Sequence, residues 1–143
     1  MKWFVCVLAT VALCGCDSST TEVRTTSPCQ VLGNAVDAQR GQYLSKIDAV
    51  KIEAKTWPGA KLKGSGPLQR ACMRRFYLRM LTLAEERHKF IFDTVYANRT
   101  IDQGISGCAG TDLYNLRATA ETELLKISGT IDSIKGELAH PSD

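Results

Sequence analysis

Between Thr111 and Pro141, the residues Leu113, Arg117, Ala120, Leu124, Ile127, Ile131, Ile134 and Leu138 recur at alternating intervals of four and three. That rhythm follows one face of an α-helix, and so apolar a face is stable only when packed against other helices. Arg117 is its one polar break, and Thr111 followed by Asp112 suits an N-cap and first turn. Two earlier segments share the rhythm. Val36, Arg40, Tyr43, Ile47, Val50, Ala54 and Trp57 form a second stripe, closed by Trp57-Pro58-Gly59. From Leu68 to Asn98 a broader face holds Met73, Phe76, Tyr77, Met80, Leu83, Ala84, Ile91 and Val95, and the charged run Glu85 to Lys89 reads as solvated surface. The stretch Pro58 to Pro67 and the glycines Gly104, Gly107 and Gly110 break the chain between these segments. No segment alternates as a strand does. With 143 residues, 44% of them hydrophobic, the chain has room for one domain. The sequence therefore predicts an all-α fold, an up-down-up three-helix bundle over residues 29–143.

The first 28 residues follow a different logic. Met1-Lys2 and the apolar run Trp3 to Leu13 have the shape of a secretory signal, far short of the roughly 20 apolar residues of a membrane-spanning helix. The run ends in Leu13-Cys14-Gly15-Cys16. This tetrad resembles the lipobox of bacterial lipoproteins, with Cys16 at the position that receives diacylglycerol. The resemblance covers only the leader and names no domain family. It implies cleavage after residue 15 and a lipidated, palmitate-bearing Cys16 that anchors the chain to a lipid bilayer. Two or more acyl chains hold stably where one holds marginally, because each buried methylene contributes about 0.8 kcal/mol. It also implies a periplasm-facing place in the cell envelope. Asp17 is similar to the signal that retains lipoproteins in the inner membrane of enteric bacteria, with the outer membrane as the alternative. Asp17 to Pro28 is polar and Ser/Thr-rich, as a flexible tether over residues 16–28 should be, and spans at most about 40 Å.

Of the six cysteines, Cys6 and Cys14 leave with the leader and Cys16 takes lipid. Cys29, Cys72 and Cys108 remain, in a compartment where disulfides form. In an up-down-up bundle Cys29, before the first helix, and Cys108, before the third, lie at one end. Cys72 starts the second helix about 40 Å away, beyond the roughly 7 Å that a disulfide tolerates between α-carbons. The predicted bridge is Cys29 to Cys108, with Cys72 a buried, inert thiol.

Catalytic chemistry finds little support in the sequence. Glu85 with His88, and Glu137 with His140, have the spacing used in di-iron bundles, but antiparallel helices set the two pairs about 24 Å apart. No nucleophilic triad, phosphate loop or zinc-ligand spacing is present, so the expectation is no catalytic residue, no metal and no cofactor. Asn98-Arg99-Thr100 matches a glycosylation sequon incidentally. Charge carries more information. Without Lys2, seventeen basic residues face fifteen acidic ones, yet from Lys51 to Arg79 eight cations are opposed by Glu53 alone. They converge on the turn between the first two helices, the end opposite the tether. Lys61, Lys63, Arg70, Arg74, Arg75 and Arg79 form the candidate basic binding tip, suited to an acidic envelope protein, an anionic cell-wall polymer or headgroups. Nucleic acid ranks last, because only Trp57, Phe76 and Tyr77 are near for stacking. The sequence thus points to a membrane-anchored protein-interaction module of the inhibitor or exclusion kind, with a structural spacer between membrane and wall as the alternative.

Overall fold

The computed structural model describes residues 26–63 and 66–140. The leader, Cys16 and the tether up to residue 25 lie outside the described residues. Helix α1 runs Pro28–Ala54, α2 Pro67–Val95, α3 Arg99–Asp102 and α4 Gly110–Ala139, with no strand among the described residues.

The two interhelical breaks work as their residues dictate. Proline stands in the first turn of both α1 and α2, where its fixed φ fits and its missing N–H costs no helical bond. Pro28 therefore belongs to the helix and not to the tether, and Cys29 sits inside the first turn instead of ahead of it. Beyond Ala54 the N–H groups of Lys55, Thr56 and Trp57 reach back three residues, a tightened turn that Pro58 then ends.

The segment between α2 and α4 holds the one element the periodicity did not foretell. Asn98 caps the single-turn α3: its Oδ1 accepts from Thr100 N–H at 3.1 Å and from the Thr100 hydroxyl at 2.7 Å. The sequon residues are thus spent on a cap. At the start of α4 the expected Thr111 N-cap is corrected. Ala109 takes that position without a side-chain bond, and Gly110 enters the helix at φ 61°, a left-handed value that favours glycine.

The central helix is α2, against which α1 and α4 each pack more extensively than against one another. Directions follow from the pairings. Cys29 and Cys108 stand at disulfide distance with α-carbons 4.8 Å apart, and Arg40 on α1 meets Glu123 on α4, so α1 and α4 run the same way. Val50 and Trp57 at the end of α1 pack on Cys72 in the second turn of α2, Glu53 meets Arg79 farther along it, and the Tyr96 hydroxyl after α2 donates to the Arg117 carbonyl of α4. Thus α2 runs opposite to both.

Two apolar clusters fill the interior. Toward the disulfide end, Val36, Ala84, Ile91, Val95, Ala120 and Ile127 are buried, with Leu116, Leu124 and Ile131 against them. Burying a Val or Ile side chain contributes about 1.5–3 kcal/mol, so Ile91 and Val95, fully enclosed, are among the larger contributors. Toward the other end Val50, Trp57 and Cys72 form the second cluster with Phe76, Met80 and Leu83. Cys72 is a free, buried thiol. Two expected interface positions differ: Arg40 lies exposed and reaches sideways to Glu123, and Met73 faces outward.

Candidate functional site

The tip is built from the last turn of α1, the connection after it and the first four turns of α2. Glu53, its one acid in the run from Lys51 to Arg79, organises it. The Glu53 carboxylate accepts from Trp57 Nε1–H at 3.2 Å and from Arg79 at 3.4 Å, and it lies 3.7 Å from the Arg75 guanidinium. Arg75 in turn covers the Trp57 ring, 4.3 Å from its centroid, a geometry in which the ring face attracts the cation. Trp57, 7% exposed, is therefore a clamp between α1 and α2 and offers no free face for stacking.

These contacts divide the predicted basic residues into two sets. Arg75 and Arg79 are held by Glu53 and fix the tip's shape. Lys61, Lys63 and Arg74 are exposed and meet no acid among the described residues, as is Lys55 beside them. Arg70 is exposed at the start of α2 and already engaged in an interaction. Lys51 pairs with Asp48 one turn away at 3.5 Å, an exposed contact worth little. The first turn of α2 carries no acidic side chain, and its N-cap, Gly66, makes no side-chain bond, so the helix dipole adds to the positive potential here.

The connection has a fixed form. Ala60 N–H donates to the Trp57 carbonyl and Leu62 N–H to the Gly59 carbonyl, winding residues 57–62 into tight turns. Gly59 has φ 89°, and a β-carbon there would stand 2.4 Å from the backbone oxygen of Leu68. The turn is thus pressed onto the first residues of α2, which only glycine permits. Gly59→Ala is expected to cost about 2 kcal/mol or more of unfolding free energy, combining backbone strain with that clash. Urea unfolding checks it; a loss below half that value would show that the turn can move aside.

A second polar constellation was not legible as one. Arg87, assigned to the solvated run, is 1% exposed in the middle of the bundle, which corrects that reading. Its guanidinium donates to the Val36 carbonyl at 2.7 Å, to Gln39 Oε1 and to Glu123 Oε2, joining all three long helices. Glu123 also holds the exposed Arg40 at 3.5 Å. Burial raises the Tyr43 phenol above its ordinary pKa, and the nearby Arg87 charge partly offsets this. The signal was present: the apolar face of α2 needs a residue at 87 or 88 between Ala84 and Ile91, and finds Arg and His there.

Between α1 and α4, near the disulfide, lies a groove of about 390 Å³. Gly33, Val36, Leu116 and Ala120 form its floor, and Asp37, Asp112 and Glu123 stand around it. Asp112 accepts from the Ser27 hydroxyl at 3.1 Å and Glu123 from Arg87, so two of the three acids are already partnered.

Neither Glu-x-x-His pair forms a centre. Glu85 is bridged to Lys135 at 3.4 Å, and among the described residues no three His, Cys, Asp or Glu side chains converge on a point that would hold an ion. No helix among the described residues is long and apolar enough to cross a membrane. Comparison with protein-family models, with curated proteins and with solved structures finds no match for this chain.

Proposed function

We propose that this protein is a lipid-anchored interaction module of the bacterial envelope. Cys16 carries the lipid, the helical domain is stapled for an oxidising compartment, and the basic tip is held out toward an anionic partner. The observation that carries the reading is the polarity of the bundle. The described chain enters beside the Cys29–Cys108 crosslink, while Lys61, Lys63 and Arg74, which meet no acid among the described residues, lie toward the other end. Such a rod presents a charged surface away from its own anchor. Exposed cations spared from internal ion pairs give the tip a positive potential that can draw in an anionic partner, which supports binding over an inert spacer.

The lipid half is tested by mass spectrometry of the processed protein. A diacylglyceryl group is expected on Cys16, and Cys16→Ser should release the protein from membranes. An unmodified Cys16 in a membrane-bound product would overturn this half. For the interaction half, membranes carrying the protein should retain a partner in low salt and lose it when Lys61, Lys63 and Arg74 are changed to Glu. Equal retention by the variant would remove the tip from the account.

A further inference from the structure

Resting on the reading of the tip as a binding surface, we propose that its partner is an anionic phospholipid bilayer, met by Lys55, Lys61, Lys63 and Arg74 with Leu62 and Leu68 entering the headgroup layer. The apolar residues carry the choice of partner. Leu62 is 51% exposed and Leu68 59% exposed, both at the end of the bundle and flanked in sequence by Lys61, Lys63 and Arg70. The backbone brings them together, because the Gly59 turn from which Leu62 projects is pressed against Leu68 itself.

Cations alone suit any polyanion, whereas leucines standing beside Lys61 and Lys63, which meet no acid among the described residues, suit a surface that is anionic outside and hydrocarbon beneath. Lysine stems lie along the apolar layer while their ammonium groups stay among phosphates. A wall polymer, or a protein surface that is acidic without an apolar patch, would leave both leucines in water. A nucleic acid strand would want an open aromatic face, and Trp57 is covered by Arg75. Glu53, Trp57, Arg75 and Arg79 tie α1 to α2 beneath this surface.

The test uses the full processed protein in two sets of vesicles. Donor vesicles of phosphatidylcholine carry the protein through its lipid, and labelled acceptors contain phosphatidylcholine with or without phosphatidylglycerol. Acceptors with phosphatidylglycerol should be captured and neutral ones ignored, with capture falling as salt rises. Each cation near the surface is worth about fivefold, so Lys61→Glu with Lys63→Glu should reduce capture about 25-fold or more. Leu62→Ser with Leu68→Ser should reduce it about tenfold, and the remote Lys126→Glu should leave it unchanged. Circular dichroism and oxidised Cys29–Cys108 verify that each variant is folded.

Capture of neutral acceptors as readily as anionic ones would overturn the proposal, as would indifference to the lysine pair. Sensitivity to the lysines with none to the leucines would also overturn it, since the leucines that single out a bilayer among polyanions would then take no part in the contact. Protein that floats with its donors yet captures nothing sinks the tip and spares the anchor. Protein that leaves the donors sinks the anchor, and direct flotation of that protein with phosphatidylglycerol vesicles, against the same variants, then decides the tip.

Discussion

Replacing Arg87 by Met should lower the unfolding free energy by about 3 kcal/mol, a value at the lower end of what breaking a buried charge pair costs. The guanidinium is almost wholly enclosed, and its removal strips a charged donor from the Val36 carbonyl and from Gln39 Oε1. The bound carboxylate is less isolated, since Glu123 remains partly exposed and keeps Arg40, which is why the estimate stays low in the range. The companion result is more telling. Arg87→Met combined with Glu123→Met should recover most of the loss, because a buried ion pair is often matched by apolar side chains of similar volume. Urea unfolding of the two singles and the double forms a cycle whose coupling energy isolates the pair. A single-variant loss below about 1 kcal/mol would mean that water reaches Arg87 in solution.

Removing the crosslink should cost still more. The bridge closes a separation of 79 residues, for which the chain-entropy relation gives about 4.5 kcal/mol, less whatever native-state strain the bridge imposes. The clean variant is Cys29→Ala with Cys108→Ala, which leaves no new thiol to pair wrongly; both positions are buried, so alanine also forfeits some packing. A dithiol reductant on the unaltered protein should reproduce most of the shift in urea midpoint. If both treatments left the midpoint in place, the three helices alone would account for the stability of the fold.

The long helices were legible because their signal is redundant. On α4 every member of the stripe from Leu113 to Leu138 is buried or half-buried, and no charge interrupts it beyond Arg117. The Cys29–Cys108 pairing was equally readable, since helices of this length leave Cys72 no route to either partner. Arg87 was not, because a charged residue in a charged run reads as surface, and only the missing apolar residue between Ala84 and Ile91 argued otherwise. The single turn α3 depends on one asparagine side chain, a signal too short for periodicity to carry.

At the tip, the sequence showed where cations gather but not which are taken. Glu53 finds Arg79, 26 residues later, through the register between α1 and α2, and hydrophobic spacing does not encode a register to within one turn. Leu62 and Leu68 were passed over for a related reason. Their importance comes from being uncovered, and exposure is a property of the assembled tip and not of either residue.

The position of the crosslink has a mechanical consequence. Tension applied between the amino-terminal side of the domain and the end of α4 enters at Cys29 and passes through the sulfurs to Cys108, bypassing α1, the Gly59 turn and α2. Those elements stay unloaded while α4 alone takes the strain, so pulling on one terminus against the other would peel a single helix and leave a covalent loop intact. A pull directed at the tip instead stretches the noncovalent contacts that the sulfur bridge shelters.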